Sequence, residues 1–201
     1  MELIEQEKIF LRKMLEIGNS INIESQLPSQ VFREKYLMFR IIDFDEIYSA
    51  KFFQNINNLL KEEDNIKWTF AVLENSPQDF FYKLCRKYPI FEVTSNDSFE
   101  DYLSITRDEL ECIPNESLAD NAYIIVIYPE SLKWVIYGDF NFEIGIVGFS
   151  DNETMEQFTS TYEANRAFTI EKAISELLEV IYRDHKVPED MRNQLLHNYG
   201  K

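Results

Sequence analysis

The chain has 201 residues, 45% of them hydrophobic and 14% aromatic, with 36 acidic and 20 basic side chains and a net charge of −16. That length supports one substantial core and falls short of the usual two-domain chain, and the apolar content excludes wholesale disorder because it offsets the entropy of ordering. Fifteen acids against Arg107 and Lys133 fall between residues 96 and 165, a net −13, and charge so concentrated repels nucleic acid and anionic membranes while attracting basic partners or cations.

The start, MELIEQEKIFLRKM, has acids where a secretory signal has an apolar core. No apolar run approaches the roughly 20 residues that span a bilayer. A soluble cytoplasmic protein is expected. In a reducing compartment Cys85 and Cys112 read as two free thiols, with a disulfide or a reactive thiol as the alternative.

Leu3, Ile4, Phe10, Leu11, Met14 and Leu15 keep helical spacing, and Gly18 supplies a left-handed stop. A polar connection follows, then an apolar stretch from Tyr36 to Ile42 that is strand or helix. Asp45 reads as the N-cap of an amphipathic helix carrying Ile47, Phe52, Phe53, Ile56, Leu59 and Leu60, which fades in the polar run Lys61 to Asn65. Ile66 to Leu73 alternates as a strand. Ser76, Pro77 and Asp79 open a helix through Arg86, and Pro89 to Thr94 is extended. A helix is predicted from Asp97 to Leu110, ended by Pro114.

The clearest β signal lies in Ala122 to Tyr128, Leu132 to Tyr137 and Phe142 to Phe149, rich in Ile, Val and aromatics. Gly138 to Asn141 forms the turn between the last two. Apolar residues on both faces place these strands centrally in a sheet with helices over at least one face. Met155 to Glu163 is helix or loop. Thr169 caps the strongest helix, through Ile170, Ala173, Ile174, Leu177, Leu178 and Ile181, and Pro188 opens a last short helix ending near Gly200. The prediction is a single α+β domain over residues 1–201, with a mixed or antiparallel sheet around a central hairpin.

With five glycines there is neither a Walker loop nor a dinucleotide fingerprint. The nucleophile elbow of serine hydrolases is missing too. His185 and His197 lack partners at zinc-site spacing and read as helix-end or surface residues. Asp43 and Asp45, two apart after an apolar run, can bind Mg²⁺ at a strand end. They resemble the opening motif of haloacid-dehalogenase-type phosphatases, which implies that Asp43 is a nucleophile, Asp45 an acid/base and Asp139 a late metal ligand. Glu46, Ile47 and Tyr48 follow where that family has Gly and then Thr or Val. The plainer reading has Asp45 capping a helix and Asp139 in a turn.

Trp134, Tyr137, Phe140 and Phe142 surround the hairpin beside Asp139 and Glu143. As core they bury well. As an interface they are aromatic anchors within an acidic rim, suited to fast capture of a basic protein, and the helix Asp97 to Leu110 extends that surface with Asp97, Glu100, Asp101, Asp108, Glu109 and Glu111, whose plainer reading is a solvated face. The segment SLKWVIYGDFNFEIGIVG, Ser131 to Gly148, resembles a pattern of small uncharacterised bacterial proteins and of immunity proteins of toxin systems, with a Trp strand, a Gly-acid turn and a Glu strand. The resemblance implies a cytoplasmic toxin neutraliser without catalytic residues or cofactor. The leading expectation is therefore a non-enzymatic module binding a basic protein partner through Glu100, Asp101, Trp134, Asp139, Phe140 and Glu143, with neither nucleic acid nor membrane as partner. The alternatives are a metal-dependent hydrolase using Asp43, Asp45 and Asp139, and a DNA mimic with carboxylates spaced like phosphates.

Overall fold

Six antiparallel strands form one sheet in the order β1-β8-β7-β6-β2-β3. They are β1 (Met38–Asp43), β2 (Lys67–Glu74), β3 (Ile90–Thr94), β6 (Ile124–Pro129), β7 (Trp134–Asp139) and β8 (Ile144–Phe149). The computed structural model describes residues 1–62, 67–162, 166–182 and 184–200. The expected strand start at Ile66, the polar run at 63–65 and the acid Glu163 lie outside the described residues. The runs rich in Ile, Val and aromatics occupy the interior of the sheet, and every residue of β6, β7 and β8 is buried. A strand buried on both faces has no polar alternation to display.

Both faces are covered. On one, α1 (Glu7–Gly18) contributes Phe10 and Ile17, and the connection after it contributes Phe32 and Tyr36. The closing helices α6 (Ile170–Ala173), α7 (Glu179–Ile181) and α8 (Glu189–Tyr199) complete this layer with Ile170, Leu195 and Tyr199, packed on Ile41, Val126 and Tyr137. On the other face α2 (Ala50–Glu62) and α5 (Asn152–Thr161) bring Phe52, Ile56 and Phe158 against Trp68, Ile127, Trp134 and Val147. The result is an α+β fold. Both sheet edges are engaged, since Ile41 exchanges backbone hydrogen bonds with Phe168 at 2.9 and 2.8 Å, and Ile4 bridges Tyr88 beside β3. Each contact interrupts its edge and shortens the template left for strand addition.

Several local expectations change. Helix α1 does end at Gly18, but without a left-handed residue: Asn19 follows in right-handed conformation and its N–H donates to the Leu15 carbonyl at 3.1 Å. Asp45 caps no helix. It opens a 3₁₀ turn, Asp45–Tyr48, and Ser49 accepts the Phe52 N–H at 3.1 Å to start α2. The segment after Ser76 is a π-helical turn, Pro77–Tyr82, running into α3 (Lys83–Cys85).

The chain between β3 and β6 carries most of the differences. Helix α4 spans only Phe99–Arg107, because Ser98 and Asp101 close a capping box at its start and Asp108 turns extended at its end. Pro114 lies beyond it in a small hairpin of β4 (Glu109–Leu110) and β5 (Ile113–Ser117), separate from the main sheet. Gly138 and Asp139 belong to β7, and the turn is Phe140–Phe142 with Glu143 left-handed at φ 53°.

The two cysteines are not free thiols. The tip of the β4–β5 hairpin brings Cys112 against Cys85 at the end of α3, with Cα atoms 5.0 Å apart, and the pair is disulfide-bonded. Their separation of 27 residues carries no spacing signal. Only the hairpin's return across α3 makes them neighbours.

Candidate functional site

Helix α4 stands between two concavities. Its residues Asp101, Ser104 and Ile105, spaced for one helical face, and Asp108 just past its end line an open cleft of about 710 Å³. The N-terminal segment supplies Glu2 and Glu5, the hairpin supplies Glu109 and Glu111, and the Cys85–Cys112 bridge lies in the wall. Six carboxylates thus face Lys87, which is 3.5 Å from Glu5, and Met1, whose ammonium also acts on Asp101. Asp101 is held below the usual carboxylate range by the backbone N–H and hydroxyl of Ser98, so it is ionised throughout the physiological range. Leu3, Ile105 and Leu110 give the floor its apolar part. Ser104, also in the lining, donates its hydroxyl to Asp108 at 2.7 Å, and the excess of carboxylates suits the cleft to holding cationic side chains.

The second concavity, about 150 Å³, lies at the C-terminal end of α4. Arg107, Asp120, Asp45, Phe44, Tyr48, Tyr123 and Phe140 line it. Asp120 accepts from the N–H and hydroxyl of Ser117 at 2.8 and 2.6 Å, and these bonds hold its carboxyl below the usual range. Tyr48 is 7% exposed, and its hydroxyl has no hydrogen-bond partner. Burial raises that phenol far above its ordinary value, with the Arg107 charge opposing.

A third cavity, about 360 Å³, lies under α1. There the buried Lys13 ammonium donates to Glu92 at 2.7 Å, Glu16 at 3.1 Å and Thr69 at 3.2 Å, while Lys67 bridges Glu92 and Glu130. Lys13 has all three of its donors used, the arrangement a buried charge requires. This network ties α1 to the sheet.

The predicted interface residues separate into surface and interior. Glu100 and Glu143 are exposed, Asp101 is in the cleft wall, and Phe140 is 48% exposed at the small hollow. Trp134 is 0% exposed, and its indole N–H is buried without a partner. Asp139 is 3% exposed. Its Oδ1 accepts the N–H groups of Asn141 at 2.9 Å and Phe142 at 3.4 Å. Burial, joined by the nearby Glu74 charge and opposed by those two bonds, raises its carboxyl to about 6. Trp134 and Asp139 therefore serve the core and the turn, out of reach of a surface partner.

The three aspartates of the metal reading are not gathered. Asp43 and Asp139 both stand opposite Ile144, one on each side, which separates them by two strand spacings, about 10 Å. Asp43 Oδ1 accepts the Asp45 N–H at 2.8 Å, while Asp45 turns to the small hollow. Asp139 ends β7, which is antiparallel to both of its neighbours. Among the described residues no group of three or more His, Cys, Asp or Glu is arranged to hold a metal ion. His185 and His197 are exposed.

Sequence reading missed Glu2, Glu5 and Lys87 as cleft residues, Tyr48 and Arg107 as hollow residues, and the Lys13 network. The cleft joins chain segments about 80 to 110 residues apart, which no local pattern reveals. The orphan Tyr48 hydroxyl likewise has no signature outside the fold. No family model matches the chain, and neither the curated proteins nor the solved structures give a match. Among the described residues no helix is long and apolar enough to cross a membrane.

Proposed function

We propose that the protein is a non-enzymatic module that binds a basic protein, of the immunity or inhibitor kind that covers a toxin's cationic active-site cleft. The observation that carries this reading is the acidic cleft, whose six carboxylates outnumber its two cations, Lys87 and the Met1 ammonium. Eleven of the acids between residues 96 and 165 are exposed, so the field they create reaches solvent. Such a field speeds encounter with a basic partner and selects against acidic ones. The segment that resembles immunity proteins is largely buried strand, so contact falls to the cleft and α4 rather than to Trp134 and Asp139.

Charge reversal tests the reading. Glu2→Lys with Glu111→Lys alters the cleft without touching the α4 cap. Affinity capture followed by titration of the captured basic protein is expected to show strong weakening in the double variant and in high salt. Unaltered affinity contradicts the cleft reading, and saturable Mg²⁺ binding in calorimetry favours the hydrolase instead. A cytoplasmic location belongs to this proposal. Disulfides persist mainly in oxidising compartments, so thiol trapping of Cys85 and Cys112 in intact cells decides it, and a fully oxidised pair argues for a location outside the cytoplasm.

A further inference from the structure

Four aromatic rings surround the small hollow at the end of α4. Phe44 meets Tyr48 at 6.0 Å and Phe140 at 5.8 Å between centroids, and Phe140 meets Tyr123 at 5.8 Å, each pair near edge-to-face. Rings set at angles around a space present it with their electron-rich faces as well as their edges. Phe140 is nearly half exposed although it follows directly on a buried strand. Asp45 and Asp120 add two carboxylates, and Asp120 is kept ionised by Ser117. The Tyr48 hydroxyl, on a side chain more than nine-tenths buried, has no partner.

We propose that this hollow receives the ammonium end of a lysine side chain presented by a basic partner. Aromatic faces attract a cation, most strongly where water is excluded. The carboxylates balance its charge, and a small shift of the wall opens the buried, unpartnered Tyr48 hydroxyl to one of its N–H groups. The size fits. At about 150 Å³ the hollow is below the roughly 300–1,000 Å³ of a drug-sized site, and so takes one side chain rather than a whole small molecule. Arg107 already demonstrates the preference, because its guanidinium lies 4.4 Å from the centroid of the Tyr48 ring. In the free protein Arg107 is the resident cation, and an incoming ammonium competes with it.

This inference rests on the reading of a basic partner, but its test needs none. Nuclear magnetic resonance titration of the full chain with Nα-acetyl-lysine methylamide is expected to give saturable shifts at the Tyr48, Tyr123 and Phe140 rings. Nα-acetyl-norleucine methylamide, with the same stem and no charge, and acetate are expected to give none. Phe140→Ala and Asp45→Asn are expected to weaken the lysine probe, and Arg107→Gln to tighten it several-fold by removing the competitor. Equal binding of the norleucine probe would show an apolar pocket only and overturn the proposal. Acetate binding that Arg107→Gln abolishes would show an anion site and overturn it too, as would the absence of any saturable shift. None of these results bears on the acidic cleft, whose own test is the Glu2 and Glu111 reversal.

Discussion

Asp139 shows how position in the sheet decides what a carboxylate can do. It lies in a row that crosses five strands, Glu74, Ile124, Asp139, Ile144 and Asp43, all at one end of the sheet. Its neighbours in the row are isoleucines, so its charge is poorly solvated. A carboxyl raised in the folded state favours folding in its protonated form, so its contribution declines as pH rises from about 4 through about 6. Asp139→Asn keeps the oxygen that accepts the Asn141 and Phe142 N–H groups. Urea midpoints across this range should therefore show the variant gaining on the wild type as pH rises, by up to roughly 3 kcal/mol. A difference independent of pH would refute the assignment. Asp139→Lys is expected to unfold the chain rather than reverse a surface charge.

Gly138, next to it, is required by close packing and not by turn geometry. A Cβ there would lie 2.7 Å from Ile125 Cγ1 and 3.0 Å from Phe44 Cε2. Gly138→Ala should cost about 1–3 kcal/mol as overpacking. Because Phe44 walls the small hollow, the strain should also appear in the Phe140 ring resonances. Wild-type stability in this variant would mean that the core there yields more readily than its geometry implies.

At the scale of elements, α4 is defined by its cap. Ser98 Oγ accepts the Asp101 N–H at 3.1 Å, and Asp101 accepts the Ser98 N–H at 2.9 Å. Ser98→Ala should lower stability by about 0.5–2 kcal/mol, read as a shift in urea midpoint. No shift would mean that packing of Tyr102, not the cap, starts the helix. The disulfide ties the tip of the β4–β5 hairpin to the end of α3. Closing a loop with a 27-residue separation restrains the unfolded chain by about 3.5 kcal/mol in the chain-entropy account. Denaturation with and without reductant should show a loss of that order, and equal midpoints would contradict it.

Much of this level could be read along the chain. Runs of Ile, Val and aromatics marked β6, β7 and β8 because burial on both faces leaves no other composition, and Thr169 and Pro188 marked their helix starts. The capping residues at Ser98 and Asp101 were hidden by a helical pattern that ran on through Leu110. Pro114 looked like a helix stop and is a hairpin residue, since proline is tolerated in a strand outside the main ladder.

At the scale of the molecule, the acid-rich region divides among the cleft beside α4, the hollow at its C-terminal end, exposed acids such as Glu143 and Glu153 outside both, and the buried Asp139. Composition foretold the charge and its region. It could not foretell that Glu2 and Glu5 join Asp101, Asp108, Glu109 and Glu111, because their meeting depends on how the N-terminal segment bridges to Tyr88. Nor could it separate Phe140, which reaches solvent, from Trp134, which does not. Both are aromatic and flank one hairpin, and only strand order assigns one to the core.

The acidic cleft as a binding surface for a basic protein is tested most directly by the salt dependence of that association. Calorimetric affinity would be measured from about 0.05 M to about 0.5 M salt, where the screening length falls from well over 10 Å to a few ångströms. For the wild type the affinity should fall steeply with salt, and for Glu2→Lys with Glu111→Lys it should be weak at every concentration. Affinity that is independent of salt and indifferent to both reversals would contradict the account.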